Sequence, residues 1–185
     1  MWVDALNPVR EIYRAPLVPG SDVEVWHIPV ILDDWVRPPG SPPLTWHETY
    51  GKTQITGDDG NRSVAEIEIA RRLSARGYQA YLVDAFGANP VEAWKSLIIE
   101  LHEMPSWLQE LCRRIRRRMS ITKGGETAGM PDVAAWLPDQ GNPIFIEYKG
   151  LKDKPRAAQE EWMRAALLED IVSETSIAVV QRVKR

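Results

Sequence analysis

Cysteine occurs once, at Cys112, phenylalanine twice and histidine three times in 185 residues. A single cysteine excludes an intrachain disulfide and every zinc pattern built on several cysteines, and makes the reducing cytoplasm the simplest setting. Its side chain reads as a small core residue rather than a reactive thiol. His27, His47 and His102 fall on separate segments without metal-ligand spacing, so no histidine-based metal centre is expected. No apolar run reaches the roughly 20 residues that a membrane helix needs, and the N-terminus lacks a basic stretch followed by an apolar one. The net charge of -3 argues against a generally basic coat. Any contact with a polyanion must therefore come from local clusters of Arg and Lys.

What is present suits one ordinary domain, since 44% hydrophobic content is enough for a real core at this length. Residues 1–60 carry prolines at 8, 16, 19, 29, 38, 39, 42 and 43, which cut every would-be helix short. This segment reads as an N-terminal extension of strands and loops. Val23 to Leu32 is strand-like, with Val23, Val25 and His27 on one face, and Pro38 to Pro43 is a linker or extended arm that covers the core or grips a protein partner. Trp2, Trp26, Trp35 and Trp46 read as packing anchors.

From residue 61 the pattern sharpens. Ser63 and Glu66 form a capping-box signature, with Ile67, Ala70 and Leu73 at helical spacing until Arg76-Gly77, so a helix is expected over 63–76. Tyr78 to Val83 alternates as a strand. Asn89-Pro90 opens a predicted helix over Val91 to Glu103, and Ser106 with Gln109 caps another over 106–119, with Leu108, Leu111, Ile115 and Met119 on its apolar stripe. A Gly-rich loop, Thr122 to Gly129, leads into a hairpin of Asp132–Leu137 and Ile144–Lys149, turned through Pro138 to Pro143. Pro155 starts a helix to about Asp170, and Ser176 to Val183 is a last strand. The fold class is α/β, a mixed sheet flanked by helices. The organisation is a 1–60 extension and a 61–185 domain with a helical insert at about 88–128.

The chemistry concentrates in Gly129-Met130-Pro131-Asp132, Phe145-Ile146-Glu147-Tyr148-Lys149-Gly150, Gln159 and Trp162. Glu147 and Lys149 lie two apart on a strand and leave the same face. Antiparallel pairing sets Asp132, at the start of one strand, beside Glu147, near the end of the other. Two carboxylates and a lysine are the minimum for phosphodiester hydrolysis: hard oxygen ligands for Mg²⁺, with Mn²⁺ substituting, and a cation to serve the attacking water. Asp132 and Glu147 are the expected metal ligands, with the Tyr148 backbone carbonyl as a further one. Lysine suits the water role better than arginine, which does not release its proton. Glu66 joins them if its helix packs beside the hairpin. Pro138-Asp139 also precedes Glu147, but Gln140, Gly141 and Asn142 make it a turn.

This order resembles the PD-(D/E)xK nuclease superfamily and is most similar to its VRR-NUC and Holliday-junction-resolvase-like branch, over about residues 63–183. The resemblance implies a restriction-endonuclease-like fold with Asp132, Glu147 and Lys149 as the catalytic set. It also places Gln159 as the glutamine of the following helix and Glu66 as the early helical acid, with Glu68 as the alternative. The implied activity is Mg²⁺-dependent hydrolysis of DNA, with RNA left open, in structure-specific repair, in recombination or in mobile-element and phage defence. The other readings are a site-specific restriction-type endonuclease and a non-catalytic nucleic-acid-binding or scaffold subunit. One centre cuts one strand, so duplex scission implies a homodimer.

The run Arg113, Arg114, Arg116, Arg117 and Arg118 reads either as a solvated, salt-bridged helix end or as a phosphate-gripping surface, which Lys123, Lys152, Lys154 and Arg156 extend. Gly51-Lys52-Thr53 looks like the end of a P-loop, but Trp46 stands where the leading glycine is required, so ATP binding is not expected.

Overall fold

The computed structural model describes residues 2–17, 19–44, 52–83, 92–120, 126–139 and 141–184. Near the N-terminus a 3-10 turn at Trp2–Leu6 is followed by β1, Tyr13–Pro16, and β2, Glu24–Val30. A short hairpin of β3, Gln54–Thr56, and β4, Arg62–Val64, runs directly into α1, Ala65–Ser74, and then β5, Gln79–Val83. Beyond β5 come β6, Ile98–Ile99, and α2, Ser106–Arg118. The chain closes with β7, Val133–Trp136, β8, Pro143–Lys149, α3, Ala157–Ala166, and β9, Ile177–Arg182.

Seven strands form one mixed sheet in the order β1-β2-β9-β8-β7-β5-β6. The β7–β8 hairpin is antiparallel, while β9 lies parallel to both β8 and β2. Strands from the first thirty residues thus complete the sheet by pairing with the last strand of the chain. The Pro38–Pro43 stretch carries no strand or helix. One sheet face packs Val25, Ala134, Phe145, Ile177 and Val179 against α2 and α3. The opposite face packs Ile28, Val133, Ile146, Ala178 and Val180 against α1 and the first 3-10 turn. This alternation is the period-2 signature of strands buried on both sides. No helix among the described residues is long and apolar enough to cross a membrane.

Several elements differ from the sequence expectation. Helix α1 begins at Ala65, not Ser63, and the Ser63–Glu66 capping box does not form: the N-cap is Val64, with no side-chain cap. Ser63 is instead held extended by pairing with Ile55, and this frees Glu66 for other partners. The helix expected over 91–103 is a 3-10 turn at Glu92–Leu97, the β6 strand and a second 3-10 turn at Leu101–Glu103. Ile98 and Ile99 are β-branched, and the open edge of β5 offers partners at Leu82 and Val83, which a helix would forfeit. The expected opening at Asn89-Pro90 lies outside the described residues. Helix α2 carries its stripe as expected, with Leu108, Leu111, Ile115 and Met119 buried. Its N-cap is Pro105 rather than Ser106, and Gln109 donates to the carbonyls of His102 (2.9 Å) and Met104 (2.8 Å). Helix α3 is shorter than the expected 155–170.

Candidate active site

The hairpin register pairs Val133 with Ile146, which sets Asp132 opposite Glu147 at the open end of the ribbon. Asp132 is fixed there from both sides. The Val83 amide donates to its backbone carbonyl (2.8 Å), and the Tyr148 amide donates to Oδ2 of its side chain (3.0 Å). Gly129, at φ 80°, is what lets the preceding loop reach this position, because a Cβ there would collide with the Ala158 carbonyl at the start of α3. Asp139, the other Pro-Asp acid, is exposed in the turn at the far end of the hairpin.

Glu147 is 1% exposed and Lys149 7% exposed. Lys149 Nζ lies 2.5 Å from Glu147 Oε1 and donates to Gln159 Oε1 at 3.1 Å. Gln159 Nε2 donates to Glu147 Oε1, and Gln159 Oε1 also accepts the Arg156 amide at 2.8 Å as part of the α3 cap. One glutamine thus ties the helix terminus to both the acid and the base of the strand. Trp162, one turn further along α3, is buried edge-on against Phe145 with ring centroids 4.8 Å apart and acts in packing.

Glu66, in the first turn of α1, reaches the same end of the sheet through an intermediary that sequence reasoning missed. Lys52 Nζ lies 2.6 Å from Glu66 Oε1 and 3.1 Å from Asp132 Oδ1. Partners this far apart in sequence leave no local signal, and Gly51-Lys52-Thr53 invites only the failed P-loop comparison. Glu68, the alternative acid, points away to Arg71 (3.5 Å) and Arg72 (3.8 Å) and accepts the Asp58 amide at 3.2 Å.

Burial dominates the electrostatics. It pushes the Glu147 carboxyl up to about 8, aided by the nearby Asp132 charge and only partly offset by Lys149. Glu66 is also raised by burial, with Lys52 opposing. Burial pulls Lys52 down, but the Glu66 and Asp132 carboxylates outweigh it, and the net shift is upward.

The donors suit a hard divalent cation. Glu147 Oε2 is buried with no hydrogen-bond partner among the described residues, and Asp132 stands next to it across the ribbon. Among the described residues no group of three His, Cys, Asp or Glu side chains is placed to hold a metal ion by itself. An ion such as Mg²⁺ does not need one, because it keeps several waters and takes one or two carboxylates.

The arginine run is largely neutralised. Arg114 and Arg118 both pair with Glu169, at 2.8 and 2.9 Å, and Arg117 pairs with Glu110 at 2.7 Å. Arg113 contacts Gln109 (3.1 Å) and Glu126 (3.7 Å), and Arg116 lies against the Met119 sulfur. Lys123 lies outside the described residues. A groove of about 730 Å³, lined by Arg10, Lys152, Lys154, Arg182 and Lys184 among others, opens just past Lys149 and Gly150. Gln181 on its wall donates to the Lys149 carbonyl at 3.3 Å.

The VRR-NUC domain model matches residues 63–181, more than half of the chain, from just before α1 into β9. No curated protein and no solved structure matches the chain.

Proposed function

We propose, because this chain belongs to the VRR-NUC domain family of nucleases, that it hydrolyses DNA phosphodiester bonds with Mg²⁺ or Mn²⁺ at the Asp132–Glu147 end of the hairpin. The observation that carries this reading is the convergence of Asp132, Glu147 and Lys149, two acids and an amine, around the partnerless buried oxygen of Glu147. Asp132 and Glu147, with the Tyr148 carbonyl, would hold the ion, and Glu66 would support it. When bound, the ion polarises the phosphate and makes the attacking water more acidic.

The residues of the chain do the rest. Lys149 orients the attacking water and offsets charge gathering on the phosphate oxygens. The water oxygen bonds to phosphorus as one ester oxygen leaves; the water's proton departs to solvent and the leaving oxygen takes one from it. Gln159 positions both Glu147 and Lys149 through the bonds already described. Asp132→Asn and Lys149→Ala proteins that remain folded should lose metal-dependent cutting. Cutting at the wild-type rate by either would overturn the site.

The path of the nucleic acid follows the groove beside Lys149 rather than the α2 arginines. Arg10, Lys152, Lys154 and Lys184 are exposed there and have no ion pair among the described residues, so they are free for phosphates. Of the α2 arginines, Arg113, Arg114, Arg117 and Arg118 are already engaged by Glu126, Glu169 and Glu110, and the run has a lesser part. Removing one cation that neutralises a phosphate lowers the salt slope of binding by about 0.9. Reversing Lys152, Lys154 and Lys184 to Glu should therefore flatten the slope by roughly 2 to 3, and reversing Arg113, Arg116 and Arg117 should flatten it less. Equal effects would reassign the path.

A non-catalytic scaffold built on this fold has no reason to bind Mn²⁺ in a Glu147-dependent manner. Calorimetric titration of wild-type and Glu147→Gln proteins separates the two readings before any substrate is chosen.

A further inference from the structure

Two lysines serve the three acids of the site. Glu147 is matched by Lys149, which the nuclease reading uses. Glu66 and Asp132 are matched by Lys52, which it does not use and which precedes the matched residues 63–181. Lys52 stands just ahead of β3, where Gln54 Nε2 donates to its backbone carbonyl at 2.9 Å, and the β3–β4 hairpin continues straight into α1. The hairpin therefore delivers the ammonium to the first turn of the helix that carries Glu66. The Lys52 side chain is 22% exposed, Glu66 7% and Asp132 21%. Two carboxylates brought this close with little water repel strongly unless a cation lies between them.

We infer that Lys52 is a positioning residue, an internal counter-cation that holds Glu66 and Asp132 preassembled and competes with the divalent ion for them. This rests on the metal reading proposed above. Lys52 donates to Asp132 Oδ1 and the Tyr148 amide to Oδ2, so a divalent ion taking Oδ1 meets the ammonium charge on the same oxygen and competes with it. Lys52 thereby weakens ion binding in the free protein while keeping the two acids in place. Once displaced, its ammonium lies at the same mouth, available to the substrate phosphate.

Two measurements test this on the full chain. In calorimetric titration with Mn²⁺, Lys52→Met should bind about tenfold more tightly than wild type, the scale of one or two partly exposed ion pairs. Lys52→Arg, which keeps the charge, should stay near wild type. A merely structural role predicts weaker or unchanged binding in Lys52→Met, and that result overturns the inference. The second measurement needs no variant of Lys52: reductive methylation of lysines in wild-type protein, read by peptide mass spectrometry. Lys52 should become more reactive when Mn²⁺ is added, with exposed Lys152 as the reference and Asp132→Asn showing no change. Wild-type protein that binds Mn²⁺ with Lys52 reactivity unaltered sinks this inference alone, whereas no Mn²⁺ binding by wild type or Lys52→Met overturns the metal reading along with it.

Discussion

Glu66 and Glu68 stand two positions apart in the first turn of α1, both buried, and face opposite problems. Two positions on a helix differ by about 200°, so the side chains leave in nearly opposite directions. Glu66 meets Lys52 and, through it, Asp132, an acid brought in from the distant hairpin. Glu68 meets Arg71 and Arg72 of its own helix and the Asp58 amide in the β3–β4 turn. Burial raises the carboxyl of both, so burial alone does not tell a functional acid from a structural one. The distinction lies in the partners. Glu68 faces two arginines of its own helix and a backbone donor to Oε1, although its Oε2 takes no hydrogen bond among the described residues, while Glu66 shares one ammonium with a second carboxylate.

The sharpest way to break that contrast is to neutralise each acid in turn. Glu66→Gln should lose roughly 10- to 100-fold in Mn²⁺ affinity, as groups that support a metal through water do. Glu68→Gln should stay within about twofold, as expected for a site without shared partners. Calorimetry decides, and equal losses would move the site to include Glu68. In urea unfolding the order should reverse. Glu68→Gln weakens the contacts that tie α1 to the β3–β4 turn and should cost about 1 to 3 kcal/mol.

A third test concerns Glu147, whose carboxyl is raised from an ordinary 4.5 to about 8. Between those values the folded protein holds a proton that the unfolded chain has released. Its stability contribution is therefore present at low pH and is lost as pH rises through about 8. Melting temperatures measured in chelator should fall from pH 5 to pH 8, and Glu147→Gln should flatten that slope. Metal binding, which requires the ionised form, should strengthen over the same window. The smallest effect is expected at Gly57, where an added Cβ would come within 2.9 Å of Glu68 Oε2 and 3.0 Å of Asp59 Oδ1. Gly57→Ala should cost about 1 kcal/mol or less, since flexible side-chain ends can shift, and should leave Mn²⁺ binding untouched.

The hairpin and its acids were legible because their signals are local. A run of β-branched and aromatic residues, a turn rich in Gly, Asn and Pro, and an acid at the head of one strand set Asp132 beside Glu147 without reference to the rest of the chain. The α2 stripe was legible for the same reason. The segment from 91 to 103 was not, since its helical pattern gave way to an open sheet edge only the fold supplies. Ser63 shows the same effect, its capping signature overridden by pairing with Ile55.

By itself, then, the chain's order of residues determined the α/β class, the ribbon that carries Asp132, Glu147 and Lys149, and the glutamine that follows on the next helix. Each depends on neighbours a few positions apart, whose geometry the periods of strand and helix dictate. Only tertiary structure decided that β2 completes the sheet beside β9, that Arg113, Arg114, Arg117 and Arg118 of α2 are paired with Glu126, Glu169 and Glu110, and that Lys52 lies between Glu66 and Asp132. Those contacts join residues as many as 152 positions apart, and an ion pair or a strand pairing at that distance is chosen by the packing of the whole core, not by any spacing along the chain.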